Sequence, residues 1–157
     1  MTDKEQQMNG LKLKYPSEWT MESITADAAA FLPPGSAITD ITGEKFTVMN
    51  TTVKKFEKMP GLEGAPLTAE NIAETSLKAM KAKGYKSEQN SITISVGGLE
   101  GRMFSVESDV GGTILKIDQY FVVKGEKVYL IAHSANAQEY KKNLATVSKM
   151  IGSIVFS

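Results

Sequence analysis

The side chains equipped for chemistry are few. His133 is the only histidine in 157 residues, and there is no cysteine. Thiol nucleophiles, thiolate zinc sites, iron–sulfur clusters and two-imidazole metal sites are therefore excluded. The local sequence gives His133 one carboxylate neighbour. Gly125-Glu126, between two β-rich runs, reads as a two-residue hairpin turn, which pairs Lys124 with Lys127 and, counting outward, Asp118 with His133. An imidazole beside a carboxylate is the arrangement that orients a metal-binding or general-base histidine. It serves equally as a structural hydrogen bond or ion pair between strands. Asp118 and His133 are thus the candidate metal ligands.

Other constellations fall short. A hydrolase centred on His133 needs a positioned serine, yet no G-x-S-x-G elbow occurs, and Ser134, adjacent in a strand, points to the opposite face. Glu107, Asp109 and Asp118 offer hard oxygen ligands for Ca²⁺ or Mn²⁺, but nothing matches an EF-hand loop, so calcium binding is expected to be adventitious. Gly97, Gly98, Gly101, Gly111 and Gly112 lack the spacing and strand-to-helix context of a phosphate loop and read as turn residues. Trp19, Tyr15 and Phe31 admit two readings: a place in the core, or an aromatic-edged recognition surface shared with the loops 33–44 and 57–67.

The elements that must position these residues follow from periodicity. Leu11, Leu13 and Tyr15 alternate with lysines, the mark of a half-buried strand, which Pro16 closes. Residues 28–32 form a short apolar strand stopped by Pro33-Pro34-Gly35, and 45–56 form a longer β-rich run. Thr68 caps a helix over 69–83 whose apolar stripe includes Ile72, Ala73, Leu77 and Met80, with Gly84 placed to end it. Four strand-like runs, 91–96, 102–108, 113–123 and 127–134, separated by glycine turns, make an antiparallel meander. Asn136, with Glu139 three residues on, opens a second helix over 137–152 in the pattern of a capping box. Ile154 and Phe156 then form a last strand or a terminus docked on the core.

Both faces of the 113–134 hairpin are apolar, so both require cover. Two amphipathic helices are available, and a central antiparallel sheet flanked by helices is the simplest closure. Length and composition agree with one globular domain: 41% hydrophobic and 23% charged residues over 157 positions. Charge argues against nucleic acid. Eighteen basic residues balance eighteen acidic ones, and Arg102 is the only arginine, so the guanidinium forks that read phosphates and bases are missing. No run is long and apolar enough for a membrane span.

Three segments resemble the PsbP-like family: LKLKYPSEWT at 11–20, AAFLPPG at 29–35, and KIDQYFVVKGEKVYLIAHSANAQEYKKNLATVSKMIGSIVF at 116–156. The resemblance implies an α+β fold, an α/β/α sandwich with a central, mostly antiparallel sheet flanked by helices. The family's photosynthetic members carry a longer segment before the first strand, and with ten residues ahead of Leu11 the likeness is closer to prokaryotic lipoprotein-type members. Residues 1–10 are expected to be a flexible N-terminal segment and 11–157 a single PsbP-like domain. The expected function is a non-enzymatic accessory or binding domain that engages a protein partner, without cofactor or nucleic acid. It is expected to be extracytoplasmic, touching the membrane only through an N-terminal lipid anchor absent from this chain, with the cytoplasm as the alternative. The functional alternative is a small-ligand or divalent-metal carrier using the Asp118/His133 face.

Overall fold

The computed structural model describes residues 3–157, which form a three-stranded and a seven-stranded antiparallel sheet and three α-helices. Met1 and Thr2, part of the expected flexible segment, lie outside the described residues. The rest of that segment is corrected. Asp3–Met8 is strand β1, paired residue for residue with β2 (Leu11–Pro16) from Asp3 opposite Pro16 to Met8 opposite Leu11. Its side chains stay largely in water, so its polarity gave no sign of a strand whose stability comes from the ladder on β2. In β2, Leu11, Leu13 and Tyr15 are buried and Lys12 and Lys14 exposed, as alternation requires. The terminus closes the small sheet: β10 (Val155–Phe156) pairs with the other edge of β2.

The large sheet is assembled from β3 (Thr20–Thr25), β4 (Ala28–Leu32), β5 (Lys45–Thr52), β6 (Ile92–Val96), β7 (Leu99–Val110), β8 (Thr113–Lys124) and β9 (Lys127–Asn136). Its spatial order is β3-β4-β5-β9-β8-β7-β6. The expected meander is β6 to β9, and its last hairpin has the expected register, with Lys124 opposite Lys127 and Asp118 opposite His133. β5 is shorter than the apolar run suggests. Thr52 meets Lys127 at the end of β9, the N–H of Val53 donates to the turn carbonyl of Glu126 at 2.8 Å, and Val53–Phe56 coils into a 3₁₀ turn because no strand remains to pair with.

Each face of this sheet has its own core and cover. On one side α1 (Ala69–Ala82) lays Ile72, Ala73 and Leu77 over Phe104, Phe121 and Val128, with Leu62 from the 57–67 loop beside them. Thr68 caps α1 by accepting from the N–H of Asn71 at 3.2 Å, and Gly84, at φ +101°, takes the left-handed position after its end. On the other side Val48, Val122, Tyr129 and Ile131 pack against Leu11, Leu13 and Tyr15 of the small sheet and Val147 and Met150 of the second helical region. The architecture is the expected α+β sandwich, with the small sheet as an additional part of one covering layer.

The second helix is broken in two. α2 (Ala137–Lys142) and α3 (Leu144–Gly152) meet at Asn143, whose φ of −112° and ψ of 13° lie outside the helical well. At its start only half of the capping box forms. Asn136 Oδ1 accepts from the N–H of Glu139 at 3.0 Å, while its own N–H donates to the Thr42 carbonyl at 3.2 Å. Gly101 is likewise not a turn residue but lies within β7. A Cβ there would sit 2.7 Å from the Phe121 carbonyl oxygen and 3.0 Å from Val122 Cγ2, so the bare Cα is what lets β8 approach. Gly101→Ala is expected to destabilise the fold by about 1–3 kcal/mol through overpacking, read as a lowered thermal midpoint by circular dichroism. Gly111→Glu, at a solvent-facing turn, serves as a control for strain at positive φ alone.

Candidate functional site

Ser105, Asp118, His133 and Phe46 stand in one row across β7, β8, β9 and β5, each the direct partner of the next. Asp118 and His133 are therefore neighbours, but each is bonded to something else. His133 Nε2 lies 2.7 Å from Glu44 Oε2, with both side chains at most 1% exposed. Glu44 precedes β5 and shares the face of Phe46, which makes it the diagonal neighbour of His133. Its other oxygen accepts from Asn143 Nδ2 at 2.5 Å. This bond accounts for the helix break: Asn143 leaves the helical well, and its amide reaches the buried carboxylate.

Asp118 is held by hydroxyls. Ser105 Oγ donates to its Oδ1 at 2.5 Å and Tyr140 OH to its Oδ2 at 2.6 Å. Tyr140 also stacks on His133, with ring centroids 5.2 Å apart and planes 16° from parallel. Lys116 Nζ lies 5.4 Å from the centroid of the Tyr140 ring and 3.2 Å from Glu107 Oε1. His133 Nδ1 is buried and, among the described residues, has no hydrogen-bond partner. Burial first and the Asp118 charge second push the Tyr120 phenol up to about 12. Burial, then the hydrogen bond to Asp118, raises Tyr140 as well, and burial raises Tyr129.

The remaining candidates are dispersed. Glu107 is paired with Lys116, and Asp109 Oδ1 closes the β7–β8 turn by accepting from the N–H of Gly112 at 2.8 Å. Ser134 pairs with Ile117 on the face opposite His133. Among the described residues no group of three or more His, Asp or Glu side chains stands close enough to hold a metal ion. Trp19, Tyr15 and Phe31 are core rather than a recognition surface, with Tyr15 and Phe31 ring centroids 4.9 Å apart. What does open to solvent is a cleft of about 420 Å³ between the 86–90 loop and β7, walled by Ile92, Met103, Ser105, Asp118 and Tyr140. That volume lies in the range of roughly 300–1,000 Å³ found for ligand pockets. Glu44, Tyr140 and Asn143 were not visible as site residues in the sequence; a lone asparagine interrupting a helical stripe was the one available signal for the last.

Neither a family model nor a curated protein matches the sequence. Solved structures do. LpqN of Mycobacterium tuberculosis, described as involved in cell envelope biogenesis, superposes with a TM-score of 0.68 at 12% identity, over 99% of this chain and 91% of that one. The Ran-binding protein Mog1p of Saccharomyces cerevisiae superposes at 0.63 with 8% identity, over 99% and 96%. Cyanobacterial PsbP of Synechocystis sp. PCC 6803 superposes at 0.60 with 11% identity, over 94% and 87%. The chain has the PsbP/Mog1-like fold. It also spans 45% of a longer Bacteroides thetaiotaomicron protein, at a TM-score of 0.56 and 10% identity. No helix among the described residues is long and apolar enough to cross a membrane.

Two outcomes follow from the buried network. Glu44→Ala strips His133 Nε2 and Asn143 Nδ2 of their shared acceptor and is expected to lower stability by about 3 kcal/mol, measured by urea unfolding at neutral pH. The tyrosines make the fold alkali-sensitive. A phenol raised above its ordinary value of 10 in the folded state leaves the unfolded chain holding fewer protons above that pH. Stability is therefore constant in this respect below pH 10 and falls as pH climbs toward 12. Ultraviolet titration at the phenolate band is expected to show Tyr120 and Tyr140 ionising late, and Tyr140→Phe to reduce the alkaline loss.

Proposed function

We propose that this chain is a non-enzymatic binding module that engages a protein partner. The observation that carries the reading is how the reactive groups are used. The histidine is buried against Glu44, and the carboxylate opposite it accepts hydroxyls on both oxygens. A general base or nucleophile must reach its substrate within hydrogen-bond distance, and a completely buried imidazole does not. Shared fold alone does not transfer function, but a protein-binding role agrees with that of the Ran-binding neighbour.

The reading includes a place outside the cytoplasm, on an N-terminal lipid anchor upstream of this chain. The resemblance to the PsbP-like family supports it, as does the involvement of the Mycobacterium neighbour in cell envelope biogenesis.

Immobilised protein exposed to detergent extracts of the native envelope, followed by cross-linking and peptide mapping, is expected to retain one protein in stoichiometric amount. Labelling the full reading frame with a palmitate analogue is expected to tag its N-terminus. A carrier would behave differently. Retention of nothing, together with a melting shift of several degrees on adding Ca²⁺, Mn²⁺ or Zn²⁺ that Asp118→Ala and His133→Ala both abolish, would replace the binding-module reading with a metal carrier.

A further inference from the structure

The cleft opens where the edge of β7 loses its neighbour. Ile92 pairs with Met103 at the start of β6, and Lys86 forms an isolated bridge with Glu107, the two exchanging backbone hydrogen bonds of 2.8 Å. Between these rungs the 87–91 segment bows away from the strand. Alternation in an antiparallel pair turns the N–H and C=O of Met103, Ser105 and Glu107 to that side. Met103 and Glu107 have partners, but among the described residues nothing meets the N–H or C=O of Ser105. The opening is one rung wide and is bounded by Ile92 at one end and Lys86 at the other, so no continuous chain fits it. A single small group does.

The opening is braced rather than frayed. Ser91, at the end of the bow, donates its N–H and hydroxyl to Glu74 Oε1 on α1 at 3.0 and 2.5 Å, and Arg102 Nη2 donates to its carbonyl at 2.9 Å. Ser87 Oγ donates to the Gln89 carbonyl at 2.8 Å. The cleft is therefore pre-formed, and its 420 Å³ continue from the opening past the exposed Ser105 to Asp118 and Tyr140.

The two ends of this cleft call for different chemistry. At the outer end a donor and an acceptor stand side by side on one residue. A primary carboxamide answers both, its oxygen accepting from the Ser105 N–H and its amino group donating to the Ser105 carbonyl; an ammonium there would face the N–H, and a carboxylate the carbonyl. At the inner end Asp118, 6% exposed, accepts from Ser105 Oγ and Tyr140 OH, and among the described residues no lysine or arginine pairs with it. Each carboxylate oxygen keeps a further accepting position, and a buried carboxylate without a counter-ion favours a cationic guest. Lys116 does not supply the charge, since it is drawn to Glu107 at 3.2 Å. The cleft walls as a whole carry three carboxylates against two ammonium groups.

We infer that the cleft binds a small linear ω-amino carboxamide, with its amide on the open rung of Ser105 and its ammonium beside Asp118. The sheet sets the length. A group on the rung lies one strand spacing outside β7 and Asp118 one spacing inside it, about 10 Å in all. A hydrogen bond to Asp118 takes up roughly 3 Å of that. The remainder is bridged by roughly four methylenes in extended form, lying over Ser105 between the side chains of Met103 and Glu107 on the same face. This site goes beyond the protein-binding reading and does not depend on it.

The test is an amide-resolved NMR titration of the whole protein with 5-aminopentanamide. Shifts are expected at Lys86, Ile92, Met103, Ser105 and Glu107, with a dissociation constant of about 1 mM, the scale for a ligand of this size. Replacing the ammonium by a hydroxyl, in 5-hydroxypentanamide, is expected to weaken binding about tenfold through loss of the charge-assisted bond. Removing the amide, in pentylamine, or shortening the chain, in 3-aminopropanamide, is expected to weaken it about fivefold. Asp118→Asn is expected to erase the preference for the amine over the alcohol. Glu100→Gln, which removes an exposed carboxylate outside the cleft, is expected to keep that preference. The ligand series needs no variant and decides the matter even if Asp118→Asn fails to fold. Shifts mapped elsewhere, no shift at ~10 mM ligand, equal binding of the alcohol, or equal binding of pentylamine would each overturn the inference. Capture of a protein from the envelope extract is read separately and is unaffected by any of these results.

Discussion

A carboxylate is tolerated in a protein interior only when donors meet it, and Glu44 organises much of this molecule on that condition. Its two donors come from elements distant in sequence: His133 in the middle of the sheet and Asn143 between α2 and α3. The loop that delivers Glu44 is folded for the task. Asp40 accepts from the N–H of Thr42 at 3.2 Å, and the carbonyl of Thr42 accepts from Asn136 where α2 begins. Loop, central strand and helical pair therefore fix one another. Neither helical half can slide along the sheet without uncovering the carboxylate, which is why a continuous amphipathic helix gives way to two short ones.

Tyr140 extends the constraint to the rest of the sheet. One ring touches both acids' networks, stacking on the imidazole of one and donating to the carboxylate of the other. The covering layer is thus tied to β8 and β9 by polar contacts of fixed direction, while Leu11, Leu13, Val147 and Met150 supply the non-directional packing. Hydrophobic burial alone admits many registers between a helix and a sheet. A half-buried phenol and a buried glutamate leave few.

The distances over which information acts explain what the sequence disclosed. The β8–β9 register was legible because a two-residue turn fixes it locally, and Asp118 does face His133 as read. The cap at Thr68, the ending at Gly84 and the alternation in β2 are likewise local rules obeyed locally. The pairing of β5 with β9 joins segments some eighty residues apart, from Phe46 to His133, and no turn specifies it. Glu44 stayed hidden for that reason, and with it the true partner of the imidazole. β1 was missed because a strand at a sheet edge need not bury side chains on either face, which leaves no period to detect. Gly101 looked like its neighbours in the turns, since a strand glycine and a turn glycine differ only in what lies across from them.

The same geometry separates the buried polar network from the open border of the sheet. His133 and Glu44 sit where solvent is excluded, so their polarity serves to select one packing arrangement. The incomplete pairing lies at the border of the sheet, where β6 ends four residues short of the Glu107 bridge and the connecting segment bows away. An unpaired rung in water is satisfied by solvent and costs little, but it has strand geometry and a charged floor beside it. The network around Glu44 and Asp118 braces that border from behind, because Asp118 is at once part of the cleft wall and the acceptor of the Tyr140 hydroxyl.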